Sequence, residues 1–271
     1  MPTPGTARAV NPPRPKGHRL PTELRTRAGL GTAQSAFADL RAQLAVATAT
    51  SGDGDSLAQT GRLLADAFAD PRNGAAILGS WADAIDAGVE LDRGRSQMHN
   101  NGFSKISLAR FGAWNLRLHV WPAGRGDARI HDHRWSFASI AVDGAHDVMN
   151  YTPDRDATGE GRHTYRLYDA TGAGEKRLER VEDAVLRPTS AYRIAAGAFH
   201  VLDYRDPHVV WNTTSSDAVT LMLSGPARRE YSHSYGARDV TEVLPAPAVV
   251  DDGSATTQVR ALAARLDGKV S

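Results

Sequence analysis

The stretch Arg129-Ile130-His131-Asp132-His133-Arg134-Trp135-Ser136-Phe137-Ala138-Ser139-Ile140 decides how this chain is read. Its branched and aromatic residues predict a strand, running from about 129 to 142. Successive strand side chains point to opposite faces, so His131 and His133 share one face and Asp132 takes the other. Two imidazoles on one strand face are half of a metal site. A third histidine far along the chain would complete a tripod.

Working outward, a period of two continues on both sides after Gly102. Further strands are predicted at 104–110, 114–121, 145–151, 163–168, 190–195, 199–204, 207–213 and 218–224. Turn signals separate them, among them Pro122-Ala123-Gly124-Arg125-Gly126, Asp143-Gly144, Asp206-Pro207 and the run from Thr213 to Asp217. Many short strands of this kind argue for a sandwich or barrel. The charged, Gly-containing segment 152–184 reads as an excursion from it, and beyond Pro226 the strand pattern fades.

The region before the strands is different. Residues 1–32 hold six prolines, six Lys/Arg and one acidic residue, Glu23, which predicts a disordered basic tail. From Ala33 to about Asp92 the period is helical. Phe37, Leu40 and Leu44 form one stripe, Leu57, Leu64 and Phe68 a second, and Ile77, Trp81, Ile85 and Val89 a third, ending near Gly88. Breaks fall at Ser51 to Asp55 and Pro71 to Gly74. After Pro245 and Pro247 a short helix is expected over 255–266. The division is therefore a tail at 1–32, a helical segment at 33–98, a β-barrel at 99–244, and a linker with a helix at 245–271.

Composition narrows the function classes. The 271 residues are 41% hydrophobic and 23% charged with a net charge of +1, so no bulk field draws nucleic acid or an anionic membrane. Cysteine is absent, which excludes disulfides, thiolate metal ligands, iron–sulfur clusters and cysteine nucleophiles. No apolar run approaches the roughly 18 residues of a membrane span, and no apolar leader opens the sequence; a cytoplasmic protein is expected.

These residues resemble the cupin superfamily of β-barrels. Gly126, His131, His133 and Gly144 fit its first motif, and Ala195-Ala196-Gly197-Ala198-Phe199-His200 fits its second, with alanine for the usual proline. The match covers roughly 103–225. The glutamate expected about four residues after the His-x-His pair is replaced by Phe137 or Ala138. The resemblance implies a mainly β chain with a single cupin-type barrel (a double-stranded β-helix, or jelly-roll) and an N-terminal helical layer. It also implies His131, His133 and His200 as metal ligands, similar to the three-histidine cupins represented by cysteine dioxygenase, and non-haem iron oxygenase chemistry. His208, beside Pro207, and His146, after the Gly144 turn, are the alternative ligands.

Imidazole nitrogen suits iron, nickel, copper and zinc alike, so the ligands do not select the metal; the resemblance implies Fe(2+), with Zn, Ni, Cu and Mn as alternatives. Arg117, His119 and Trp121 alternate with Leu116, Leu118 and Val120. If the aliphatic face packs on the helices, Arg117 and His119 point into the barrel, where Arg117 can fork onto a substrate carboxylate. Tyr151 is the leading phenol for orienting a bound oxygen species, with Tyr192 and Tyr204 beside it. Trp135 and Phe137 are expected to wall the pocket. The expected partners are a small polar acid and dioxygen, with homodimerisation open. The competing functions are a cupin isomerase, lyase or hydrolase using the metal as Lewis acid, and a non-catalytic binding barrel.

Overall fold

The computed structural model of the chain describes residues 33–49, 55–155, 162–169, 176–236, 243–244 and 246–269. The expected tail over 1–32 lies outside the described residues, as does most of the break at Ser51 to Asp55. Three helices come first: α1 (Ala33–Ala49), α2 (Asp55–Ala67) and α3 (Pro71–Asp86). Thirteen strands follow: β1 (Gln97–Met98), β2 (Ser104–Phe111), β3 (Trp114–Trp121), β4 (Ile130–His131), β5 (Phe137–Asp143), β6 (Ala145–Asp154), β7 (Arg162–Asp169), β8 (Lys176–Ala195), β9 (Phe199–Leu202), β10 (His208–Trp211), β11 (Ala218–Ser224), β12 (Ser232–Gly236) and β13 (Val243–Leu244). Helix α4 (Asp252–Gly268) closes the described chain.

The strands form two antiparallel sheets. The first has the order β1-β2-β3-β11-β5-β9 and the second β13-β8-β6-β10-β4-β12-β7. Strand β8 is long enough to pair twice: Lys176–Ala184 lies against β7 and Val185–Ala195 against β6. The second sheet therefore returns on itself through β6-β10-β4-β12-β7-β8. This mainly β barrel with an N-terminal helical layer is the expected fold class. Of the segment 152–184, the described residues 152–154, 162–169 and 176–184 are part of the second sheet, not an excursion from it. Cross-strand partners supply the pairing that its charged sequence conceals.

Alternation sorts the first sheet into two faces. Leu116 and Leu118 of β3, Ala138 and Ile140 of β5, and Val219, Leu221 and Leu223 of β11 pack against Phe37, Leu44, Leu64, Leu78 and Trp81 of the helices. Each such buried side chain contributes about 1.5–3 kcal/mol. Trp81 also donates its indole N–H to the Leu108 carbonyl (3.2 Å). Helix α3 starts on Asp70, whose side chain accepts from the Arg72 amide, with Pro71 in the first turn. Helix α4 buries Ala255, Val259, Leu262 and Leu266 on one stripe, and Arg260 bridges Asp83 and Asp86 of α3. No helix among the described residues is long and apolar enough to cross a membrane.

Two glycines permit close passages beside the site. A Cβ on Gly126 would lie 2.6 Å from the Val210 carbonyl oxygen, and Gly144 turns β5 into β6 with φ +69°.

The predicted strand over 129–142 is broken. β4 ends at His131, and β5 does not begin until Phe137. The cause is the bonding of Asp132 and His133 to residues far along the chain. The buried Asp132 carboxylate accepts from the His233 amide (2.5 Å) and the His233 ring Nδ1 (2.8 Å), and it pairs with Arg229. Arg229 in turn donates to the carbonyls of His133 (2.7 Å) and Tyr204 (3.1 Å). These bonds replace a strand ladder over 132–136.

Candidate metal centre

The other face of the first sheet, with Arg117, His119 and Trp121 of β3, lines a cavity of about 340 Å³ closed on its far side by the second sheet. His131 and His133 reach it from β4 and the residues just after. The third member of their cluster is His208, the first residue of β10: one ring nitrogen from each of the three lies within 4.8 Å of the others. Register explains the meeting. His208 is the direct cross-strand partner of His131 in the β10–β4 ladder.

His200 lies in the cavity wall but outside this cluster. It sits on β9, in the first sheet, opposite Ser139 of β5. Its neighbours are Phe137 (ring centroids 5.9 Å apart) and His146 (6.4 Å). The Gly-x-x-His pattern correctly marks a turn, since Gly197 has φ +83°, but that turn feeds the sheet opposite β4.

The tautomers follow from hydrogen bonds. His208 Nδ1 lies 3.0 Å from the Asp206 carbonyl and His131 Nδ1 lies 3.2 Å from that of Arg129. A carbonyl only accepts, so each Nδ1 carries the proton and each Nε2 keeps a lone pair. The Nε2 atoms of His133 and His208 are 3.3 Å apart. Burial, then the neighbouring imidazoles, lowers His133 well below 6.5. The same causes bring His208 to about 3. His133 and His208 are thus neutral, and the three rings converge.

Asp127 backs this centre. It is buried, accepts from Asn101 Nδ2 (2.5 Å) and the Val210 amide (2.9 Å), and stands 3.9 Å from His131 Nδ1. Burial raises its pKa. Asp127 and the Asp132–Arg229–His233 clamp are the side chains around the cluster that sequence reading passed over; the only local signal was an acidic residue between two histidines.

The remaining predicted residues divide. Arg117 and His119 both line the cavity, because the aliphatic face of β3 does pack on the helices. Arg117 donates to Ser224 Oγ (3.0 Å) and lies over the Trp135 ring (5.3 Å), and no described carboxylate pairs with it. Burial lowers it to about 10, so it stays cationic at neutral pH. Tyr151 is not in the lining. It belongs to an apolar cluster with Ile130, Val209 and Met149, and its hydroxyl donates to Met149 Sδ (3.0 Å). Neither Tyr192 nor Tyr204 lines the cavity, whereas Trp135 and Phe137 do.

No family model matches the chain. No curated protein matches it either. Among solved structures it is similar to a cupin superfamily protein from Desulfitobacterium hafniense (8% identity, 47% of this chain and 81% of that chain, TM-score 0.27). An RmlC-like cupin with a double-stranded β-helix fold from Methanocaldococcus jannaschii matches at 12% identity, over 51% of this chain and 93% of that chain, with TM-score 0.30. A hydroquinone 1,2-dioxygenase solved with Cd2+ and 4-hydroxybenzonitrile matches at 14% identity, over 46% of this chain and 64% of that chain, with TM-score 0.29. What this chain can do is set by its own side chains.

Proposed function

We propose that the chain is a metal-dependent enzyme in which His131, His133 and His208 hold ferrous iron, and that it oxidises a small carboxylic acid with dioxygen. One observation carries the metal reading. Two neutral imidazoles present Nε2 atoms to each other at 3.3 Å inside a buried cavity, with a third beside them. With the His133 proton on Nδ1, both Nε2 lone pairs are free to bind one cation. Three imidazole ligands leave coordination positions free, and bound iron would supply dioxygen chemistry there.

The chain's own groups do the rest. Arg117 offers guanidinium N–H groups to a substrate carboxylate, and no described carboxylate pairs with it. Trp135 and Phe137 flank His133 (ring centroids 6.0 and 5.1 Å away) and exclude water from that side. Asp132, through Arg229, holds the His133 carbonyl and so the backbone that aims the ring.

An isomerase or lyase needs a base poised near neutral pH. His119, His146 and His200 do not suit that task. Burial lowers His146 and His200 to about 4, and His119 also falls well below 6.5. The test is anaerobic protein loaded with ferrous iron and treated with nitric oxide. A paramagnetic adduct is expected, with oxygen uptake on addition of substrate acids; absence of the adduct from iron-loaded protein would overturn the proposal.

A further inference from the structure

Away from the three-histidine cluster, the same cavity holds polar groups that the metal reading leaves idle. His119 Nε2, His146 Nδ1 and His200 Nδ1 are buried and have no hydrogen-bond partner. His119 and His146 are only 8% and 3% exposed. The hydroxyls of Ser139 and Thr220 line the same space, and neither makes a side-chain hydrogen bond among the described residues. Sheet register sets these groups side by side: Thr220 is the cross-strand partner of His119, and Ser139 that of His200. His146 comes from β6 on the facing sheet and lies 6.4 Å, ring to ring, from His200.

A buried polar atom without a partner costs about 1–3 kcal/mol. His119, His146 and His200 each leave such an atom at this cavity, with the Ser139 and Thr220 hydroxyls in the same lining, and together they describe a surface awaiting a ligand that both donates and accepts. We propose that His119, His146, His200, Ser139 and Thr220 form a hydroxyl-binding subsite, so that the substrate is a small polyhydroxylated carboxylic acid. Its carboxylate is held by Arg117 and its hydroxyls by the imidazoles. The carboxylate part rests on the function proposed above; the hydroxyl part does not depend on the metal.

The chemistry selects hydroxyls. Burial keeps the three imidazoles neutral, so they give no charge to attract an anion. A neutral imidazole has one donor and one acceptor nitrogen, as a hydroxyl has one of each function. A site built of such groups rejects an isostere lacking them, because its own atoms are then left unpaired.

The test uses the full chain and the quenching of tryptophan fluorescence, since Trp121 and Trp135 line the cavity. Gluconate is titrated against hexanoate, an acid of the same carbon length without hydroxyls, in chelator-treated and in nickel-loaded protein. Gluconate is expected to bind at least about tenfold more tightly in both forms. His146→Leu and His200→Leu are expected to remove most of that preference, leaving hexanoate binding and nickel content as in the parent protein. Equal binding of the two acids, or a preference unmoved by both substitutions in variants that retain the parent's circular dichroism, overturns the subsite. Loss of nickel binding by the parent with the gluconate preference intact would instead overturn the metal reading alone.

Discussion

His133 Nε2 and His208 Nε2 stand 3.3 Å apart although their residues are 75 positions apart in the chain. With the His133 proton on Nδ1 both present lone pairs, which a shared cation would bind. Added Ni2+ or Zn2+ is therefore expected to raise the thermal unfolding midpoint of chelator-treated protein. At a free metal concentration 100 times the Kd the gain is about 2.7 kcal/mol. Scanning calorimetry of the parent and of His133→Ala with and without metal checks this. An equal shift in both would place the stabilising ion elsewhere.

Asp132 is 2% exposed and holds Arg229 and His233 at once. Replacing it with asparagine removes the counter-charge but keeps the shape. Breaking a buried pair on one side costs about 3 kcal/mol or more. Loss of a group that orients a ligand typically weakens metal affinity by about 10–100-fold. Urea unfolding and a chelator competition on Asp132→Asn read the two effects separately, and parent-like values in both would contradict the clamp.

How much of this was legible in the sequence follows from what alternation can encode. The faces of β3 were readable because Leu116, Leu118 and Val120 contrast with Arg117, His119 and Trp121, and burial enforces that contrast. Helices α1 to α3 were readable from their apolar stripes. The third member of the histidine cluster was not: His200 and His208 both follow turn signals, and choosing between them requires knowing that β10, not β9, pairs with β4. Nor was the break after His131, because it depends on Arg229 and His233, about a hundred residues away. Strand β12 was missed for a related reason: Ser232 to Gly236 carries few apolar residues, and its place is set by pairing with β7 and β4.

Gly61 of α2 passes so close to β5 and β9 that a Cβ there would stand 2.4 Å from Ala138 Cβ and 2.7 Å from the Phe199 ring. Alanine improves helix propensity by about 1 kcal/mol at an ordinary site. Here the overlap is with a strand residue that has no rotamer to change, and overpacking costs about 1–3 kcal/mol. Gly61→Ala is thus expected to lower stability in denaturant titrations. A rise in the midpoint would mean that the helical layer sits farther from the sheet.

Protonation should separate the fold from its unfolded state below neutrality. His146 and His200 take up a proton near 6.5 in the unfolded chain but only near 4 when buried. Between those values the unfolded chain binds more protons, so stability falls as pH drops through the window and is fully present above it. Unfolding free energies of metal-free protein from pH 7.5 to 4.5 should show this decline. His146→Leu is expected to flatten it, and an undiminished slope would assign the decline to other groups.

The most direct test of the central claim is metal content per chain after reconstitution and desalting, measured by plasma mass spectrometry for the parent, His208→Ala and His200→Ala. The arrangement of β4 and β10 predicts close to one metal in the parent and in His200→Ala, and almost none in His208→Ala. Retention of the metal in His208→Ala with its loss in His200→Ala would contradict it.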